Sequence, residues 1–293
     1  MEIVTVLDGR KECAQYSRAA GEDMAGTVKP VDVWLLIEYR GRWEREAAAV
    51  FSEPVQARLR ECRSRMPGMR LALIKRPHRT SGLLRVFWAF PSEADPRLYR
   101  SEISGYEALL SLDPELPGEP SHEKIVAVCT HGTHDLCCAQ FGNKIYAQLQ
   151  EIDSSVWQIS HVGGCRFAPN VVCLPHGVVY GRVEGGDCAE VIKSYHNGEV
   201  LPQKLRGRSC YSKAVQAAEK FLRTARQIKG LDDLKLANAK EIQAGEWSVE
   251  FLSGSATRHR VSVRLQPAEA GTYKSCMAKE LSPREHFEIV NSL

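Results

Sequence analysis

Two short loops gather most of the residues that could do chemistry. "CTHGTHDLCCAQFG" (129–142) holds Cys129, Cys137 and Cys138 beside His131 and His134, and "SHVGGCRFAPN" (160–170) holds His161 and Cys165 around a Gly-Gly pair. Taken together, Cys129, Cys138, His161 and Cys165 supply three thiolates and one imidazole. That set suits a [2Fe–2S] cluster, in which each iron takes two protein ligands. It also suits a Cys₃His zinc site, although zinc usually sits on a tight C-x₂₋₄-C knuckle and the spacing here is C-x₈-C plus H-x₃-C. A third reading is a thiol redox protein or sensor built on Cys137 and Cys138, and chance is the fourth. Gly163 and Gly164 let the backbone approach a bound object and aim N–H groups at it.

The elements that must position these loops follow from the apolar pattern. "KIVAV" (124–128) reads as a buried strand delivering Cys129 at its C-terminal end. "AQFGNKIYAQLQ" places Phe141, Ile145 and Leu149 on one helical face, and "VWQIS" (156–160) is a strand delivering His161. "NVVCL" and "VVYGRV" form a hairpin around "PHG", followed by a helix over 187–198 with Asp187 as its cap. The order β-α-β-β-β-α is the thioredoxin-like plan. Upstream, strands over 31–39, 70–76 and 83–90 and a helix over 53–66 give a similar β-α-β-β order. A Pro- and acid-rich stretch at 113–121 separates the two units. Downstream, a helix with Ala214, Ala218, Phe221, Ala225 and Ile228 on one face precedes strand-like runs, including "TYKSCMAKE".

The fold class is therefore α/β. Residues 1–115 form an N-terminal α/β domain, 120–204 a thioredoxin-like domain, and 205–293 an α+β extension with no chemistry of its own.

At the two loops the chain resembles the sucrase/ferredoxin-like family of thioredoxin-like [2Fe–2S] ferredoxins. The likeness rests on "CTHGTHDLCCAQFG", "WQISHVGGCRFAPNVVCLPHGVVYGRV" and "RGRSCYSKAVQAAEKFLR", with "AGTVKPVDVWLLIEYRGRWE" nearer the N-terminus. The resemblance implies that the pattern C-x-H-x-x-R-D-x-x-C supplies ligands Cys129 and Cys138, with Cys137 as the alternative to Cys138. It implies that H-x-G-G-H/C supplies His161 and Cys165. The family's usual Arg is His134 here, which bears on tuning and not on the ligand set. Asp135 reads as a loop stabiliser or helix cap, His131 as a backbone hydrogen-bonder or a contact just outside the ligands, and Arg166 and Asn170 as possible donors toward the site.

The expected function is a one-electron carrier working between a protein reductase and an acceptor, with one site per chain. An imidazole in place of a thiolate removes negative charge, which favours reduction and places the potential between all-cysteine and two-histidine clusters. "GRVEGG" lacks the spacing of a dinucleotide fingerprint, so electrons must come from a partner. Net charge is only +3, and no aromatic-interleaved basic motif argues for nucleic acid. Fourteen Lys or Arg against six Asp or Glu over 40–100 read mainly as solvated surface, and otherwise as a docking face for an acidic partner. No run of about 18 apolar residues spans a membrane. "MEIVTVLDGRKECAQ" lacks the apolar core of a secretory signal, so a cytoplasmic chain is expected. In that setting the dispersed Cys13, Cys62, Cys173, Cys188, Cys210 and Cys276 read as small buried hydrophobes.

Overall fold

Val33–Glu38 (β1) is buried along its whole length, as an apolar run covered on both faces must be. In this computed structural model, which describes residues 12–77, 82–254 and 257–292, β1 lies inside a ten-stranded sheet. It pairs in parallel with Met69–Lys75 (β2), reached through helix Glu53–Arg65 (α2), and antiparallel with Leu84–Phe90 (β3). Arg97–Ile103 (β4) pairs with β3, and Glu119–Ser121 (β5) closes that edge. The N-terminal stretch read above falls largely outside the described residues. A short helix, Cys13–Ala19 (α1), is the first element described.

The second half repeats the arrangement. Ile125–Cys129 (β6) pairs in parallel with Trp157–Ile159 (β7) across helix Leu136–Ile152 (α3). It pairs antiparallel with Val171–Leu174 (β8), which pairs with Val178–Tyr180 (β9). Helix Cys188–His196 (α4) leads to the edge strand Leu205–Arg208 (β10). The spatial orders β9-β8-β6-β7 and β4-β3-β1-β2 are the same thioredoxin-like order with the same strand directions. The halves meet through antiparallel pairing of β7 with β2, at Ile74–Ile159 and Lys75–Gln158. Ser160 extends the seam: its N–H donates to Leu73 O at 2.8 Å, and its Oγ accepts from Leu73 N at 2.9 Å.

Helix Lys213–Arg226 (α5) packs between β10 and a second, antiparallel sheet. That sheet runs Lys235–Gln243 (β11), Glu246–Ser253 (β12), Thr257–Pro267 (β13) and Glu285–Ser292 (β14). Three expectations need correction. The segment 272–280 is not a strand; apart from an isolated bridge between Thr272 and Ser282 it is irregular, because its sequence has no period-two alternation. The apolar face of α5 runs through Ala214, Val215, Ala218 and Leu222, while Ala225 is exposed; the helix ends before Ile228, at Gln227, whose φ is +55°. Asp187 stands at the N-cap of α4, but its side chain makes no capping hydrogen bond there. It accepts the Glu184 N–H at 2.6 Å and closes the preceding 3₁₀ turn. Among the described residues no helix is long and apolar enough to cross a membrane.

Candidate metal centre

Cys129 is the last residue of β6. Parallel strands deliver their following loops to one sheet edge, so the loops after β6 and β7 meet. Helix α3 starts earlier than the apolar pattern suggests: Asp135 caps it, accepting the Cys137 N–H at 2.9 Å. Both adjacent cysteines therefore lie in its first turn, where successive side chains point about 100° apart. Gly142 lets α3 lie close on β6, since a Cβ there would sit 2.1 Å from Cys129 O.

The consequence is a division of labour between neighbours. Cys138 Sγ lies within 4.8 Å of Cys165 Sγ and of an Asp135 carboxylate oxygen, Cys129 is its electrostatic neighbour, and Cys165 Sγ lies 3.3 Å from His161 Nδ1. Three thiols and an imidazole are thus drawn together, with Cys129, Cys138 and Cys165 no more than 3% exposed and His161 partly open. Cys137 turns away, toward Cys13 and Cys276. The interaction between Cys138 and Cys129 pulls the Cys129 thiol down and holds the Cys138 thiol well above its ordinary range. Burial pushes His161 down to about 3, leaving a neutral imidazole able to ligate.

Second-loop geometry depends on two glycines and a buried arginine. Gly163 and Gly164 have φ of +90° and +73°, a region that disfavours side chains. A Cβ at Gly164 would also strike Arg206 Nη2 at 2.4 Å. Arg206, 2% exposed, donates to Gly163 O, Asn170 Oδ1, Thr27 O and Thr27 Oγ1 at 2.9–3.1 Å. Among the described residues it makes no ion pair with a carboxylate. Burial lowers it to about 9, and the negative groups that oppose this shift are Cys165 and Cys129. Arg70, which donates to His161 O at 2.7 Å, is likewise lowered by burial and supported by Cys129 and Cys165. One buried and one half-buried cation thus lie near the thiols of Cys129 and Cys165.

The N-terminal half covers the first loop. His131 Nε2 donates to Glu44 O at 2.8 Å while Nδ1 accepts the His161 N–H at 3.0 Å, which fixes a neutral tautomer that burial also favours. Thr133 Oγ1 donates to Trp43 O at 2.8 Å. His134 stacks on His161 with ring centroids 3.6 Å apart. Arg166 does not serve the site: it pairs with the buried Glu22 at 2.7 Å. Asn170 Nδ2 donates to Gly164 O at 3.0 Å, so it braces the loop and does not reach the thiols. Arg206 and Arg70 escaped the sequence reading because nothing in "LRGR" or "MRLAL" marks the burial of the first or the inward reach of the second. The contact of His134 with His161 had one cue, its place in the first loop.

A family model described as sucrase/ferredoxin-like matches residues 24–207, and the chain belongs to that family. It is 25% identical over 130 residues to altered inheritance of mitochondria protein 32 of Meyerozyma guilliermondii, covering 39% of this chain and 46% of that protein. The chain thus spans about half the length of the curated relative it matches. Among solved structures it is similar to a thioredoxin-like [2Fe–2S] ferredoxin from Aquifex aeolicus, at 22% identity and a TM-score of 0.27, over 29% of this chain and 91% of that one. A Cys55Ser variant of the Aquifex ferredoxin matches at 21% identity and a TM-score of 0.26, over 28% of this chain and 97% of that one. The Cys, His and Asp groupings within the fold are consistent with a metal cofactor.

Proposed function

We propose that the protein is a one-electron carrier whose [2Fe–2S] cluster is held by Cys129, Cys138, Cys165 and His161. The observation that carries the reading is the convergence of those four groups beside Arg206, a buried cation whose hydrogen-bond partners are all neutral. When bound, the cluster supplies a one-electron couple whose potential reflects ligand charge and hydrogen bonding. The three cysteines keep the site closed to water. Arg206 and Arg70 supply compensating positive charge, and His131 holds the His161 backbone in register. His161 is the ligand nearest solvent: it lines a cavity of about 310 Å³ together with Lys29, Arg45, Arg63, Arg70 and His134. That cationic mouth suits an acidic protein partner, because complementary charge speeds encounter.

Anaerobic purification followed by a visible spectrum and low-temperature EPR of the dithionite-reduced protein tests the reading. Wild type should be coloured, and C138S and C165S should lose iron and acid-labile sulfide while C137S keeps both. A colourless chain with zinc and no sulfide would point instead to a structural module, and a colourless, metal-free chain inactivated by alkylation to a thiol redox protein.

A further inference from the structure

Cys137 belongs to a second gathering of donors. Its Sγ lies 3.2 Å from Cys276 Sγ, which lies 3.6 Å from Cys13 Sγ. Asp135 Oδ1 is 3.2 Å from Cys276 Sγ and 3.8 Å from Cys13 Sγ. All four donor atoms fall within 4.8 Å of one another. The corners of a tetrahedron with zinc–sulfur bonds of about 2.3 Å stand about 3.8 Å apart, so these separations match with only slight expansion. Cys13 and Cys137 are fully buried and Asp135 is 1% exposed, while Cys276 is half-buried on the solvent side. The carboxylate is already oriented, accepting the backbone N–H of Cys137 at 2.9 Å and of Cys276 at 2.8 Å.

Three chain segments contribute. Cys13 opens α1, a seven-residue helix without a side-chain cap. Asp135 and Cys137 begin α3, and Cys276 lies in the irregular stretch between β13 and β14. Around it, Tyr16 and Tyr273 meet edge to face at 4.9 Å, and Thr272 Oγ1 donates to the buried Glu22 at 3.0 Å. Cys13 and Cys276 both lie outside the residues matched by the family model. They are not isolated as the sequence suggests, since each lies against another thiol.

We propose that Cys13, Cys137, Cys276 and Asp135 bind a structural zinc ion that ties α1 and the 268–284 segment to the start of α3. Three thiolates with one carboxylate suit zinc, which is borderline-soft, redox-inert and tetrahedral in closed sites. On binding, each ligating thiol gives its proton to solvent and four protein–metal bonds form.

The test uses the full chain, purified anaerobically without chelator, with zinc and iron measured separately. About one zinc per chain is expected, with zinc-edge X-ray absorption showing three sulfurs near about 2.3 Å and one oxygen near about 2.0 Å. C276S and C13S should each lose the zinc, retain iron and the visible spectrum, and be cut faster by trypsin at Lys274. The two substitutions sit at opposite ends of the chain, so if one misfolds the other decides. A wild-type chain without zinc, a soluble variant that keeps it, histidine nitrogen in the zinc shell, or a Cys137–Cys276 disulfide would overturn the proposal. Iron and EPR report on the other site, so failure of either assignment is seen separately.

Discussion

The imidazole of His134 lies face to face with that of His161, centroids 3.6 Å apart and planes within 21°. His134 thus covers His161, the most solvent-open of the four proposed ligands, at the position where the family resemblance leads one to expect arginine. A fixed cation there would stabilise the more negative, reduced state. H134R should therefore raise the midpoint potential by about 1 kcal/mol, on the order of 50 mV for one electron. A redox titration of the variant beside wild type checks the sign; an unchanged or lower value would show that the stacked ring does not shield the site.

Arg206 combines two duties that substitution can separate. R206M strands Asn170 Oδ1 and the carbonyls of Gly163 and Thr27, which should lower unfolding stability by about 2–3 kcal/mol. It also removes a cation facing Cys165 and Cys129, so the potential should fall. R206K keeps the charge but not the planar fork. Urea unfolding should show R206K nearly as destabilised as R206M, while its potential stays near wild type.

Gly142 sets the distance between α3 and β6, and therefore between Cys138 and Cys129. A Cβ there would stand 2.1 Å from Cys129 O, a backbone atom that yields only if α3 or β6 shifts. G142A should be destabilised by about 2 kcal/mol or more and lose iron on gel filtration. Wild-type stability and full iron content together would mean that the helix can shift without disturbing the ligands.

Acid stability offers a test away from the site. His176, between β8 and β9, meets the Tyr195 hydroxyl at 2.9 Å, and burial pushes it from 6.5 down to about 4. Between those values the unfolded chain holds the proton and the folded chain does not, so stability rises with pH. This contribution is complete above pH 6.5 and is lost as pH falls toward about 4. Melting temperatures of wild type and H176N should therefore converge as pH drops through this window; a constant difference would contradict the assignment.

Much of the sheet was legible because central strands are apolar throughout: β1, β2, β3, β6 and β8 fall where their runs predict. The strands that escaped notice are polar or edge-bound. "RLYRSEI" (β4) has a single buried residue, Leu98, and "KLANAKEIQ" (β11) has none, so neither carries a period-two signal. That the loops after β6 and β7 meet was legible because their residues are close in sequence and follow strands. The division between Cys137 and Cys138 depends on helical phase. The cluster with Cys13 and Cys276 joins positions more than a hundred residues apart, and single cysteines carry no spacing to read.

The narrow ladder between β2 and β7 has a mechanical meaning. Ser160, which locks that junction to Leu73, is bonded directly to His161. Arg70, on the strand across the junction, holds the His161 carbonyl. A load applied to the first half of the chain, by a partner gripping it from outside, would reach the imidazole through a lever arm of one peptide bond.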